Sequence, residues 1–232
     1  MNNQKTLISP RVILQLLFFI VLLPFLPLLI AGRWNWWEAW VYGLLAVLSF
    51  VVSRVLAARR HPDLIAERSR FAQQDDAQTW DKRLLPLMGV GGILVMLVAG
   101  LDALLDWPPN FSLPVKIPAL VLILGGYALT SSALIENRFF SGMVRLQTDR
   151  GQQVVSSGPY HWIRHPGYAG ALLVYLVTPL FLDSAWAFLP TFFTAVLYVL
   201  RTAWEDRFLQ AELPGYRDYA RRVRYRLLPG VW

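Results

Sequence analysis

The apolar residues of this chain are gathered into long blocks, without the close charged punctuation of a water-facing helix. Six such segments cover roughly 12–31, 37–57, 84–105, 115–135, 168–182 and 185–204. A helix needs about 20 residues, at ~1.5 Å each, to cross a hydrocarbon core of ~30 Å. The first four segments meet that length. The fifth, about 15 residues long, reaches only about 22 Å. Segments five and six are joined by Asp183-Ser184 and predict a tight helical hairpin over 168–204. The expected fold is an all-α polytopic membrane protein with five to six transmembrane helices. Pro24 and Pro27 lie inside the first segment and predict a kink there, since each removes a backbone donor. That segment has no small-residue cleavage pattern and reads as a retained span, not a leader.

Composition agrees with that plan. Charged residues make up 16% of the chain, against roughly 25% in a soluble domain. Ten tryptophans and nine tyrosines suit a protein anchored at two membrane–water interfaces. There is no cysteine, which excludes disulfides, thiolate metal sites and a cysteine nucleophile. No histidine or carboxylate spacing suggests a metal.

The net charge of +7 invites a nucleic-acid reading, but the placement of the charges removes it. With the N-terminus in the cytoplasm, every Lys and Arg except Arg33 and Lys116 falls on the cytoplasmic side. The positive-inside rule therefore predicts cytoplasmic termini and two cytoplasmic loops, in the inner membrane if the host is bacterial. The partners expected are the bilayer and a lipophilic molecule within it.

The chain divides near residue 136. Residues 1–135 carry four long spans and a charged cytoplasmic loop, 58–83. Within that loop the stretch from Arg59 to Arg68 mixes charges with Leu64 and Ile65 and predicts an amphipathic interfacial helix. Residues 136–232 hold a loosely alternating stretch, 136–157, expected as an extended excursion. The hairpin and a basic tail follow.

Polar residues concentrate in this second part. The stretch Gly158-Pro159-Tyr160-His161-Trp162-Ile163-Arg164-His165-Pro166-Gly167-Tyr168-Ala169-Gly170 opens the hairpin. Glu205-Asp206 closes it, followed by Leu209, Gly215-Tyr216, Tyr219 and the arginines from Arg221 to Arg226. Ionisable groups at the edge of an apolar span cost free energy unless they face water or a partner, so they mark candidate sites.

In order and spacing these pieces resemble the isoprenylcysteine carboxyl methyltransferase family and the related phospholipid methyltransferases. The resemblance covers about 136–232, and more weakly the loop at 59–83, and one departure is an aspartate at 206 where the family usually has a second glutamate. It implies a membrane-embedded enzyme using S-adenosylmethionine on a lipophilic or prenylated acceptor, with the reacting group a carboxylate. It also implies a cytoplasmic cofactor pocket built from His165, Pro166, Tyr160, Tyr168, Gly170 and Glu205. Arg222, Arg164 and Glu205 are the candidate catalytic residues. An ionised acceptor carboxylate needs no general base but does need a cation, and arginine supplies one bidentately. Two rivals stand beside this reading. Sterol-reductase-like membrane enzymes using NADPH have a similar C-terminal half, and a non-catalytic lipid-binding protein would use the same arginines as headgroup anchors.

Overall fold

The computed structural model describes residues 17–69, 74–107 and 110–232. The first part of the N-terminal segment, with Lys5 and Arg11, and the Pro108-Pro109 turn lie outside the described residues.

All regular structure among the described residues is helical. The N-terminal segment does not run as one helix. A π turn at Phe18–Leu22 gives way to a 3-10 turn at Leu23–Phe25, then to α1, Leu26–Ala31. Pro24 and Pro27 each sit in the first turn of a new piece, so their missing donors divide the segment where a kink was expected. Gly32 ends α1 in the left-handed conformation, and its amide bonds the Leu28 carbonyl.

Three long helices follow: α2, Trp37–Arg60; α4, Thr79–Leu105; and α5, Leu113–Glu136. By length and apolar composition each can cross a membrane. Between α2 and α4 lies α3, Pro62–Ser69, the short helix expected in the charged loop. Glu38 at the start of α2 and Arg59 and Arg60 at its end match the helix dipole.

The hairpin is α6, Pro166–Phe181, and α7, Phe188–Glu212. At 16 residues α6 is short, as expected. In contrast, α7 runs eight residues past the predicted end of its apolar run, so Glu205 and Asp206 lie inside a helix and not at its edge. Residues 137–157 form irregular chain with one 3-10 turn, Thr148–Arg150, where sequence alternation had suggested extended structure. A last short helix, α8, spans Tyr216–Arg222.

The most extensive helix contact is between α5 and α6. It rests on two glycines facing each other. A Cβ on Gly126 would lie 2.7 Å from the Gly170 carbonyl oxygen, and one on Gly170 would meet the Gly126 carbonyl. Small residues at such crossings let backbones approach, which is how helices associate where lipid removes the hydrophobic drive. Around this seam Val95, Ile123, Val174 and Phe181 form the buried core with Leu28 and Ala39. Outward from it Leu44, Leu48, Val51, Val90, Val121 and Phe192 are exposed. An apolar girdle of that extent is what lipid-facing helices present, and the protein is a membrane protein.

Charges sort to the two ends of the bundle. At one end Lys116 is paired with Glu38, at 2.5 Å, and with Asp183, and Arg33 pairs with Asp106. At the other end, where α2 and α5 finish and α4 and α6 begin, Arg60, Arg145, Arg164 and Arg201 pair with carboxylates.

Candidate functional site

The start of α6 sits at the arginine-rich end of the bundle. Pro166 opens the helix, a position where its absent N–H is no loss and its fixed φ is already helical. The two residues before it are held by the C-terminal chain: the Arg164 amide bonds the Tyr225 carbonyl and the His165 amide bonds the Arg226 carbonyl, both at 2.9 Å. Those tail residues are themselves fixed, because the Trp232 carbonyl accepts from the amides of Arg226, Leu227 and Leu228.

Asp206 is the centre of this arrangement and is completely buried. Arg164 donates to it bidentately, Nε at 2.7 Å and Nη2 at 2.9 Å. Arg226 Nε donates at 2.8 Å, Gln210 at 2.8 Å and the Tyr216 hydroxyl at 3.2 Å. His165 Nε2 lies 3.3 Å from the same carboxylate. A buried carboxylate is tolerable only when its acceptor sites are filled by charged donors, and here they are. Burial alone would lower the Arg164 guanidinium, but Asp206 outweighs it and raises it above its ordinary value. Arg164 also donates to the Val223 and Arg224 carbonyls, at 2.7 and 2.8 Å. Its donors are therefore committed to holding the tail against α7.

Beside this cluster is a cavity of about 250 Å³. A single water needs roughly 10–15 Å³ on the same kind of measure, so the space suits an organic molecule. The walls come from four directions. Arg68 reaches in from α3. The irregular chain contributes Phe139 to Arg145, Gln147, and Gln152 to Val155. The motif contributes Tyr160, His165 and Tyr168, and α7 with the following chain contributes Arg201, Glu205, Leu209, Tyr216 and Tyr219. The buried Tyr160 accepts from Asn137 at 3.1 Å, and burial pushes its phenol well above the usual value. Tyr219 donates to the Tyr160 carbonyl at 2.7 Å, which fixes α8 against the motif.

Glu205 is the one acidic side chain on that wall. It accepts from the Tyr168 hydroxyl at 2.5 Å, and no cation lies within ion-pair distance of it among the described residues. Asp206, one residue on, faces away from the cavity. Two neighbouring acids thus have opposite roles, one locked in structure and one presented to the cavity.

Four arginines line the cavity, and three are neutralised. Arg145 pairs with Glu67, Asp76 and Asp149 at 2.8–2.9 Å. Arg201 grips Asp81 bidentately, at 2.7 and 2.9 Å, and its guanidinium lies over the Tyr168 ring. Arg164 pairs with Asp206. The fourth, Arg68, pairs with no carboxylate. Its Nη1 donates to the Phe140 and Ser141 carbonyls, at 2.9 and 3.1 Å, and burial draws its pKa down to about 10.

The site residues expected from the sequence do not all meet at the cavity. Arg222 is exposed on α8 and absent from the cavity wall; Arg226 is the tail arginine that reaches the Asp206 cluster beside it. Arg164 borders the cavity with its donors already taken. Pro166 and Gly170 do not line the cavity: Pro166 starts the helix, and Gly170 is turned toward α5. His165, Tyr160, Tyr168 and Glu205 are brought together on the wall as expected. Arg68, Arg145, Arg201 and the 139–155 chain were not foreseen. Arg201 could have been noticed, since a lone arginine within an apolar run requires a partner.

Comparison with known proteins gives a match that runs from α5 through the motif and the hairpin. Residues 115–213 match the phospholipid methyltransferase family. That region carries the resemblance read from the motifs and includes His165, Tyr168, Glu205 and Asp206. The chain is also similar to Delta(14)-sterol reductase TM7SF2 of Mus musculus, 28% identical over 141 residues, which cover 56% of this chain and 34% of that protein. It is similar to the uncharacterized protein YpbQ of Bacillus subtilis (strain 168), 42% identical over 62 residues, or 26% of this chain and 36% of that one. The chain thus aligns with about a third of the length of each of these relatives. The matched region resembles a membrane methyltransferase fold, and within it the motif and the α6–α7 hairpin contribute Tyr160, Arg164, His165, Tyr168, Arg201 and Glu205 to the cavity wall.

Proposed function

We propose that this protein is an integral membrane methyltransferase that uses S-adenosylmethionine to methylate a lipophilic acceptor, with a carboxylate as the reacting group. The observation that carries the reading is Glu205: a carboxylate on the wall of an aromatic-lined cavity, held by Tyr168 and without a cation. A carboxylate presented in this way suits a ligand that brings its own positive charge or a pair of hydroxyls. S-adenosylmethionine has both, in its ammonium and its ribose, and the family match to methyltransferases supports the same ligand.

When bound, S-adenosylmethionine would supply an electrophilic methyl group on a sulfonium. Glu205 would bind the ammonium or the ribose hydroxyls, and Tyr160, Tyr168 and Tyr216 would give the adenine flat apolar surfaces. His165 is engaged with Asp206 and Tyr216, so it orients the start of α6 and is not a free base. An acceptor that arrives as a carboxylate has no proton to remove, so the reaction demands no general base. The chain's task is then to align two reactants and keep water out. The bundle end containing the cavity carries the arginine excess and would face the cytoplasm, with both termini on that side. The acceptor's apolar part would lie in the bilayer beside α5 and α6.

A second reading is favoured by one observation, the similarity to a sterol reductase. It predicts binding of NADPH in the same cavity. Titration of the purified protein with each cofactor separates the two. S-adenosylmethionine is expected to bind and NADPH not to bind, with Glu205→Gln lowering affinity roughly tenfold or more through loss of a charge-assisted contact. Binding of NADPH alone would overturn the methyltransferase reading. Transfer of labelled methyl to prenylcysteine analogues and lipid extracts, with the product identified by mass, then tests the acceptor.

A further inference from the structure

The cavity wall carries one positive charge that the protein itself does not neutralise. All 15 acidic residues of the chain are among the described ones, and each can be checked against Arg68. None lies within ion-pair distance of it, whereas Arg145, Arg164 and Arg201 on the same wall all have carboxylates. Arg68 is held in place nevertheless. Nη1 is fixed by two carbonyls of the irregular chain, and the guanidinium lies 5.4 Å from the centre of the Phe140 ring. Nε and Nη2 have no protein acceptor among the described residues. A half-buried guanidinium fixed on one edge and open on another is a receptor for an anion, because a charge partly removed from water gains from a charged partner.

The opposite charge is found on the same wall. Glu205 is an uncompensated carboxylate, and Tyr168, bonded to Glu205, is within electrostatic reach of Arg68. A cavity with one unmatched anion and one unmatched cation is complementary to a ligand with the reverse pair.

We infer that Arg68 is the carboxylate receptor of this cavity, binding a carboxylate through Nε and Nη2 while Glu205 takes the ligand's positive end. The identity of the ligand rests on the methyltransferase reading; the charge complementarity does not. The carboxylate has two sources in that reaction, the amino-acid end of S-adenosylmethionine and the acceptor. Arg68 comes from the part of the chain outside the 115–213 match, so this contact would be supplied by α3 and not by the matched hairpin.

The test uses the full chain in detergent or nanodiscs, with S-adenosylmethionine, its decarboxylated form, and prenylcysteine analogues with a free or amidated carboxylate. The wild type and Arg68→Gln and Arg68→Lys variants are titrated with each. If the cofactor supplies the group, Arg68→Gln weakens S-adenosylmethionine roughly tenfold to hundredfold and leaves the decarboxylated form nearly unchanged. If the acceptor supplies it, the cofactor affinity holds and the loss falls on the free-acid analogue but not the amide. Either selective loss supports the assignment. Arg68→Lys keeps a donor for the two carbonyls but not the fork, so it should fold as the wild type and show the same selectivity in weaker form. Equal loss for all probes makes Arg68 structural and overturns the inference, as does no loss for any. A wild-type protein that binds no S-adenosylmethionine overturns the functional reading and this assignment with it; wild-type binding with an indifferent Arg68→Gln overturns the assignment alone.

Discussion

At Glu205 and Asp206 one step along a helix turns the side chain by about 100°, enough to separate a cavity wall from a sealed ionic cluster. Their order in the sequence gives no sign of which acid faces which way, because α7 continues past both and its rotation is set by packing against α4 and α6. The sequence singled out Glu205 and left Asp206 without a role. In the structure Asp206 gathers Arg164, Arg226, Gln210, Tyr216 and His165. Replacing it with alanine would strand buried arginine charge, a change that typically costs about 3–5 kcal/mol. The expected outcome is a large drop in the melting temperature of the detergent-solubilised Asp206→Ala protein. Glu205→Gln should melt close to the wild type, since its one hydrogen bond comes from a tyrosine. Arg222→Ala is a third variant with a definite expectation. The residue is exposed and lies off the wall, so cofactor affinity should be unchanged, although a basic tail residue near Tyr219 looked from sequence alone like a catalytic arginine.

Among the elements, the long apolar helices were legible because their composition leaves few alternatives, and the short α6 was legible from its length. The 137–157 chain was not. Its weak alternation suggested extended structure, but it is shaped by polar contacts made far along the sequence: Arg145 to Glu67 and Val144 to Asp81. One contact on this layer has a pH signature. Asp63 accepts from Arg150 at 2.6 Å and from Arg138 at 2.9 Å, and hydrogen bonding from Arg150 is the main cause that lowers its pKa from 3.8 to about 2. A depressed carboxylate contributes its stability fully above the ordinary value and loses it as pH falls through the folded one. Protection of the α3 region from hydrogen exchange should therefore weaken as pH falls from about 4 toward 2, and Asp63→Asn should remove that dependence. The α5–α6 seam makes a different demand. Gly170→Ala puts a methyl into the Gly126 backbone and should cost about 1–3 kcal/mol, seen as a lowered melting temperature.

For the whole molecule, the sorting of charge to the two bundle ends turns topology into something measurable. The chain has no cysteine, so single cysteines can be introduced without background. Asn35 and Ser156 are both exposed and lie at opposite ends. With the cavity facing the cytoplasm, a membrane-impermeant maleimide applied to intact cells should label Asn35→Cys and spare Ser156→Cys until the cells are permeabilised. The whole-molecule plan was the most legible level, because hydropathy and the distribution of arginine both act over tens of residues. Closure of the cavity was the least legible, since it joins α3 to α7 through contacts that no local pattern encodes.

One such contact bears on how the protein comes into being. The Asp81–Arg201 pair joins residues 120 positions apart. At a synthesis rate of ~5–20 residues per second, α4 would wait roughly 6–24 s before its counter-charge is made. Until then Asp81 has nothing stronger than the Val144 amide to meet it. A chain that stops before Arg201 would keep an unmatched carboxylate at the membrane surface, and quality-control proteases would have a defined mark by which to tell a finished molecule from an interrupted one.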